Sequence, residues 1–175
     1  MVKVYLHTST FEKVVTDSYD QSYYLSDFNT IISSNKLDFY ISDLVLNEIN
    51  EFKDENIRNA ILEILKKYTN IKTIITEEIK KNEIYLLAEK YVSMGLIPKE
   101  KITSSYHVAF SAIYQMGIFI SWLFPPWDYN DLLININKIN NELGYKYPYE
   151  IDTPAQLRDL TNGYRKKILK LIEDY

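Results

Sequence analysis

Short apolar runs alternate with helical patterns along most of this 175-residue chain, and this alternation restricts the fold more than any other feature. Five runs are rich in β-branched and aromatic residues and show little polar alternation, which is typical of strands buried on both faces of a sheet. The runs cover residues 2–6, 37–42, 71–75, 117–121 and 149–151. We therefore predict a three-layer α/β/α fold with a central parallel sheet of about five strands and right-handed crossovers.

The segments between these runs place apolar residues at helical spacing. Asp54 is a suitable N-cap for the helix that follows it. A later helix is expected to end before Gly144, because glycine accepts the backbone conformation found after a helix C-terminus. The predicted core-facing stripes comprise Ile57, Ala60, Ile61, Ile64, Leu65 and Tyr68; Ile84, Leu87, Ala88 and Tyr91; Ala109, Ala112, Ile113 and Met116; and Leu132, Ile136, Ile139 and Leu143.

Composition indicates a globular protein and removes several kinds of chemistry. The apolar share of 46% and the charged share of 25% are ordinary. No apolar run reaches the roughly 18 residues of a membrane helix, and the first residues lack a secretory signal, so we expect a cytoplasmic protein outside the membrane. Cysteine is absent, which excludes disulfides, thiol catalysis and Cys-based metal sites. The net charge of −4 argues against a broad RNA-binding surface.

One domain boundary is expected, close to the C-terminus. We assign residues 1–157 to the α/β domain and residues 158–175 to a C-terminal helical extension. The extension combines an apolar side with the basic residues Arg165, Lys166, Lys167 and Lys170. It can serve as a docking helix, although packing against its own domain is the simpler interpretation.

Candidate site residues follow the predicted strands. Open parallel sheets bind ligands beyond the carboxyl ends of the strands, where the strand order reverses. His7 directly follows the first run, Glu48 lies in the helix after the second, and Ser104 opens the helix before the fourth. No Gly-rich phosphate loop and no nucleophile elbow are present in the sequence. The chemistry is therefore expected around these three residues.

Five segments resemble, in the correct order, the motifs of the PIN-domain ribonucleases, the fold of many bacterial toxin–antitoxin nucleases. They are "VYLHTSTF", "YISDLVLNEI", "SSYHVAFSA", "SWLFPP" and "INNELGYKYPYEIDTPAQL". The resemblance covers residues 2 to about 157 and implies the same α/β/α fold. It also implies cleavage of RNA by Mg²⁺ or Mn²⁺, which three or four carboxylates hold so that the ions activate water and stabilise charge on the phosphate.

Most of the carboxylates that this chemistry requires are missing. The positions that match the family's metal ligands carry His7, Glu48, Ser104 and Leu123, and only Glu48 is an acid. Mg²⁺ prefers oxygen ligands, generally carboxylates and water. A single carboxylate is a poor magnesium site, so the residues contradict the activity that the resemblance implies.

The residues alone leave several alternatives open. His7 and Glu48 can bind a softer ion such as Zn²⁺ or Mn²⁺, or they can form a hydrogen-bonded pair that fills the vacated pocket, which we favour. Asp128 can replace a lost acid or cap the helix that begins there. Asp43 suits a capping or dipole role at a helix start. We interpret His107 as a core histidine that bonds to nearby backbone.

We predict a non-catalytic pseudonuclease without a cofactor, which acts through a homodimer or another protein partner, or binds RNA without cutting it. A link to toxin–antitoxin systems is implied by the resemblance alone. The alternative is a metal-dependent endoribonuclease with a rebuilt site of Glu48, His7 and Asp128, which would take Mg²⁺ or Mn²⁺. A third hypothesis is a structural interaction module that uses residues 158–175 as its contact.

Overall fold

A computed structural model describes residues 1–16, 21–34, 36–121, 129–145 and 150–152, which contain five strands and seven helices. A short 3-10 turn, Lys99–Lys101, precedes the sixth helix. The elements in chain order are β1 (Val2–Leu6), α1 (Thr8–Thr16), α2 (Gln21–Ile32), β2 (Leu37–Ser42), α3 (Asp43–Glu51), α4 (Glu55–Lys67), β3 (Ile71–Ile74), α5 (Glu78–Ser93), α6 (Ile102–Ile113), β4 (Ile118–Ile120), α7 (Tyr129–Glu142) and β5 (Glu150–Asp152).

The strands form one parallel sheet in the order β3-β2-β1-β4-β5. β1 lies at the centre, where Val4 is in register with Phe39 of β2 on one side and with Ile118 of β4 on the other. The strand order reverses between β1 and β4, which leaves a crevice beyond their carboxyl ends. The predicted three-layer α/β/α fold with a parallel sheet is confirmed.

The central strands supply several of the large side chains that are fully buried. Tyr5, Phe39 and Phe119 are each 0% exposed. β3 differs, because it lies at the sheet edge and exposes Lys72 and Thr73. The Lys72 ammonium binds the Asp38 carboxylate at 2.8 Å. The expectation that every strand is buried on both faces is therefore wrong for β3, where a charged edge also discourages pairing with another chain.

The helices pack beside the sheet with most of their predicted stripes inside. α1 contacts α2, α3 and α4, and α5 contacts α6. Ile61 and Ile136 are fully buried. Ala60 and Leu143 are exposed, contrary to the prediction. Leu143 leaves the stripe because α7 ends at Glu142 and the chain then turns at Gly144, whose φ is +86°.

Some predicted features lie outside the described residues. These are Leu123, Asp128, the boundary at residue 157 and the extension 158–175, which all stay predictions. Among the described helices, none is long and apolar enough to cross a membrane.

Asp54 caps α4, as predicted, and its removal should destabilise the domain. Asp54 Oδ1 accepts hydrogen bonds from the backbone nitrogens of Asn56 at 2.8 Å and Ile57 at 3.3 Å. Asp54→Ala should lower the free energy of unfolding by about 1 kcal/mol, because two helix N–H groups lose their acceptor. Asp54→Asn keeps a side-chain oxygen and should lose much less. Urea denaturation checks both variants, and equal losses would contradict the capping role.

Candidate functional site

Three side chains that can bind metal converge at the carboxyl ends of the central strands. One ligand atom from each of His7, Glu48 and His107 lies within 4.8 Å of the other two. His7 joins β1 to α1, Glu48 lies on α3, and His107 lies on α6. We call these three residues the His–Glu–His cluster. Two of them are sequence candidates, whereas His107 was expected only as a core residue.

The β1–β4 pairing fixes the backbone of His7. The His7 nitrogen donates to the Ile120 carbonyl of β4 at 3.0 Å, and the His7 carbonyl accepts from the Thr10 nitrogen at 2.9 Å. The Thr10 hydroxyl also donates to the Ile120 carbonyl, at 3.0 Å. The last bond of the ladder and the first turn of α1 therefore meet at His7, so that its side chain has little freedom to leave the crevice.

The ring of His7 is held by Ser9. The Ser9 backbone nitrogen donates to His7 Nδ1 at 2.9 Å, and the Ser9 hydroxyl lies 3.0 Å from the same atom. Because Nδ1 accepts an N–H, the neutral ring carries its hydrogen on Nε2. Burial, and secondarily the nearby His107, hold the pKa of His7 well below its ordinary value. His7 is therefore a neutral imidazole at neutral pH.

His107 lies in the middle of a hydrogen-bonded chain of side chains. Its Nε2 is 3.0 Å from Glu48 Oε1, and its Nδ1 is 2.6 Å from the Tyr5 hydroxyl. The Tyr5 hydroxyl is 2.7 Å from the Ser42 hydroxyl. A carboxylate only accepts, so the hydrogen of the His107 ring lies on Nε2 and is donated to Glu48. Nδ1 carries no hydrogen in this tautomer and accepts from the Tyr5 hydroxyl. The Tyr5 oxygen in turn accepts from the Ser42 hydroxyl. We call Ser42, Tyr5, His107 and Glu48 the polar chain.

The polar chain corrects two expectations. His107 bonds to the side chains of Tyr5 and Glu48 instead of nearby backbone, because both side chains point at its ring from β1 and α3. The expected hydrogen bond between His7 and Glu48 is absent from the described residues. The Ser9 amide reaches His7, and His107 reaches Glu48.

Glu48 is ionised and already well supplied with donors. The Thr8 hydroxyl donates to its Oε2, while His107 occupies Oε1. Burial by itself raises the pKa of the Glu48 carboxyl, but the hydrogen bonds from His107 and from the Thr8 hydroxyl outweigh it and hold the pKa below its ordinary value. The side chain is 26% exposed, so part of it still faces solvent.

The other sequence candidates lie close by in different roles. Ser104 is buried on α6, one turn before His107, and offers a neutral hydroxyl. Ser42 is the N-cap of α3, where its hydroxyl oxygen accepts from the Val45 nitrogen at 3.4 Å. Asp43 occupies the first turn of α3, which suits the expected dipole role, and also accepts from the Thr76 hydroxyl at 2.5 Å.

A magnesium site of the PIN type does not fit these residues. Mg²⁺ demands oxygen ligands in near-octahedral geometry and is usually held by carboxylates and water. The cluster offers one carboxylate and two imidazole rings. This donor set belongs to Zn²⁺ and related transition ions. The cluster therefore lacks the oxygen ligands that Mg²⁺ chemistry requires.

A cavity of about 280 Å³ opens between α3, α5 and α6. Its wall includes Asn47 and Tyr106, the neighbours in sequence of Glu48 and His107. The Tyr106 ring stacks on the Tyr85 ring, with 6.1 Å between their centroids. The cavity therefore lies beside the two helices, α3 and α6, that carry Glu48 and His107.

Comparison with solved structures identifies the fold. The crystal structure of VapBC2 from Rickettsia felis bound to a DNA fragment from their promoter contains a chain that is similar to this one, with a TM-score of 0.54 and 14% sequence identity. The match covers 86% of this chain and 98% of that chain. The fold is PIN-like. No family model matches this PIN-like chain, and no curated protein matches it by sequence.

The burial of neutral His7 should make stability depend on pH. Its folded-state pKa lies below the unfolded value of about 6.5. As the pH falls, His7 is therefore protonated at a higher pH in the unfolded chain than in the folded chain. The free energy of unfolding should fall as the pH drops below about 6.5, by up to about 1.4 kcal/mol per pH unit. His7→Gln keeps an acceptor for Ser9 and should remove this slope.

Denaturant titrations of chelator-treated protein between about pH 7 and pH 5 measure the effect of the His7 substitution. Ser104→Ala is the matched control, because it alters a buried neighbour without removing a titrating group, and it should keep the wild-type slope. A wild-type slope in His7→Gln would show that another group is responsible.

Proposed function

We propose that this chain is a PIN-like pseudonuclease that does not cleave RNA with Mg²⁺ and acts through contact with a protein partner. One observation carries the first part of the proposal. Glu48 is the only carboxylate in the His–Glu–His cluster, and both of its oxygens already accept hydrogen bonds, from Thr8 and from His107.

Binding of Mg²⁺ to the Glu48 carboxylate is unfavourable. An ion that binds Glu48 displaces the His107 or Thr8 hydrogen bond and meets no second carboxylate in the cluster. Mg²⁺ also gives up its bound water reluctantly. Without the ion, the site lacks the charge that would activate a water molecule and stabilise the phosphate. Loss of cleavage is therefore the outcome that the chemistry of these donors favours.

The outer side of α5 supports the second part of the proposal. Ile79 is 77% exposed, Leu86 is 68% exposed and Tyr85 is 52% exposed. We call these three residues the α5 surface. Ile79 and Leu86 are two helical turns apart and so share one face. Large apolar side chains grouped on a surface mark interaction sites more often than single exposed residues do.

We propose a second copy of this chain as the partner at the α5 surface. The exposed positions of α5 carry the acids Glu78, Glu83 and Glu89 and the base Lys81, and its partly buried positions carry the bases Lys80 and Lys90. Charges of both signs on one helix suit an isologous contact, in which each acid of one copy can meet a base of the other. The resemblance to toxin–antitoxin nucleases also implies assembly, and a cytoplasmic location in a bacterium belongs to the same proposal.

The alternative function, a metal-dependent endoribonuclease with a rebuilt site, has one observation in its favour. The His–Glu–His cluster supplies a third ligand beside His7 and Glu48. Asp128, the remaining residue of that hypothesis, lies outside the described residues. RNA cleavage assays separate the two functions.

Single-stranded RNA should stay intact when it is incubated with the full chain and Mg²⁺ or Mn²⁺, because both ions prefer carboxylate and water oxygens and the cluster offers one carboxylate, which is already engaged. Glu48→Gln, which keeps an acceptor oxygen for His107 and places its amide NH2 beside the Thr8 hydroxyl oxygen, should give the same background as the wild type in gel-based assays. Addition of Mg²⁺ should also leave the melting temperature unchanged. Cleavage by the wild type that disappears in Glu48→Gln would overturn the pseudonuclease and support the endoribonuclease.

The chain should form a dimer that depends on the α5 surface. Ile79→Asp combined with Leu86→Asp places charges in the proposed contact and should weaken dimerisation at least about tenfold, since a buried unpaired carboxylate costs more than the 1.4 kcal/mol that this factor represents. Ile134→Asp on α7 alters a residue of similar exposure, 65%, outside the proposed contact and serves as control. Sedimentation velocity over a range of concentrations measures the association. A monomeric wild type, or equal association in the variants, would refute the proposed dimer.

A further inference from the structure

We propose that the His–Glu–His cluster is a binding site for a transition-metal ion of the Zn²⁺ class, with His107 Nε2 and Glu48 Oε1 as its principal ligands and His7 as a weaker third. The inference goes beyond the pseudonuclease function and does not depend on it. It follows from the disagreement between these donors and the magnesium site of the fold.

The spacing of the two principal ligands already suits such an ion. Zn²⁺ binds imidazole nitrogen and carboxylate oxygen at about 2.0–2.2 Å, so neighbouring ligand atoms in a tetrahedral site are roughly 3.3 Å apart. His107 Nε2 and Glu48 Oε1 are 3.0 Å apart. The ligand atom of His7 lies within 4.8 Å of both. A small movement of the His7 ring therefore completes three protein ligands.

The polar chain provides the support that metal-binding histidines require. A ligating histidine almost always donates its other ring N–H to an oxygen, which fixes the tautomer. His107 Nδ1 faces the Tyr5 hydroxyl at 2.6 Å. A hydroxyl both donates and accepts, so Tyr5 can accept from Nδ1–H and donate to Ser42, which is 2.7 Å away.

The polar chain therefore has two directions. Without metal, hydrogens point from Ser42 through Tyr5 and His107 to Glu48. With metal, they point from His107 through Tyr5 to Ser42, and the lone pair of His107 Nε2 is free for the ion. In the reversal the ring hydrogen of His107 moves from Nε2 to Nδ1, the Tyr5 hydroxyl rotates toward Ser42 and the Ser42 hydroxyl hydrogen turns away from Tyr5, so the buried residues Tyr5 and His107, both 0% exposed, can keep their positions.

His7 is the weaker ligand because Ser9 opposes it. Coordination through Nδ1 displaces the Ser9 amide, which donates to that atom at 2.9 Å. Coordination through Nε2 requires the hydrogen to move to Nδ1, where it faces the same amide. The 26% exposure of the Glu48 side chain leaves a solvent-facing side on which water can complete a four-coordinate site.

Titration of the chelator-treated full chain with Co²⁺, followed by competition with Zn²⁺, tests the site. We expect one Co²⁺ per chain with the intense visible absorption of a four- or five-coordinate ion, displacement by Zn²⁺, and no effect of Mg²⁺. Glu48→Gln should weaken binding at least about a hundredfold and His7→Gln about tenfold. Tyr5→Phe keeps every ligand but removes the hydroxyl that can either donate to His107 Nδ1 or accept from it. This variant should weaken binding about 10–100-fold.

Asp43→Asn is the matched control, because it removes a carboxylate from the same helix outside the cluster, and it should bind as the wild type does. Equal affinity in Glu48→Gln and Asp43→Asn, or no cobalt absorption at saturation, would overturn the site. The tautomer of His107 gives a second readout on the wild type: nitrogen-detected NMR should show hydrogen on Nε2 without Zn²⁺ and on Nδ1 with it. An unchanged tautomer would refute the reversal, and none of these results depends on RNA cleavage.

Discussion

The hydrogen bond between the Tyr5 hydroxyl and His107 links the centre of the sheet to the candidate site. Tyr5 lies on the central strand, is fully buried and stacks near Phe110 and Phe119, so its position is set by the core. A buried hydroxyl that lost its partner would be costly. His107 Nδ1 bonds to this hydroxyl, and the other ring nitrogen, Nε2, bonds to Glu48. The geometry of the site is thus a consequence of how the central strand packs.

Periodicity predicted much of the fold, because strand runs and helical stripes are local properties of a sequence. The five strands were located in this way to within a residue or two. Strand order is not a local property, so the runs could not show that β3 lies at an edge with Lys72 exposed. The α2 helix was missed. Its apolar residues, such as Phe28 and Ile32, are buried by tertiary contacts that the local sequence does not show.

The site was predicted only in part. His7 and Glu48 follow predicted strands and resemble family motifs, and both lie in the cluster. His107 was assigned to the core because one apolar helix gives no sign of what faces its ring. The available signal was Tyr5, whose hydroxyl lies in a central strand expected to be buried on both faces and so requires a buried partner. That partner is about a hundred residues away in the chain and became evident only when β1 and α6 were brought together.

Ser42 gives the domain a connection between two events that are usually independent. Its oxygen accepts the Val45 amide at the start of α3 and is also the end of the polar chain. Fraying of the first turn of this helix and the orientation of the hydroxyls beneath it therefore share one atom. By thermodynamic linkage, whatever stabilises one direction of the chain changes the cost of opening the helix, and the reverse also holds. The stability of the first turn of α3 therefore depends on the direction of the polar chain at the site.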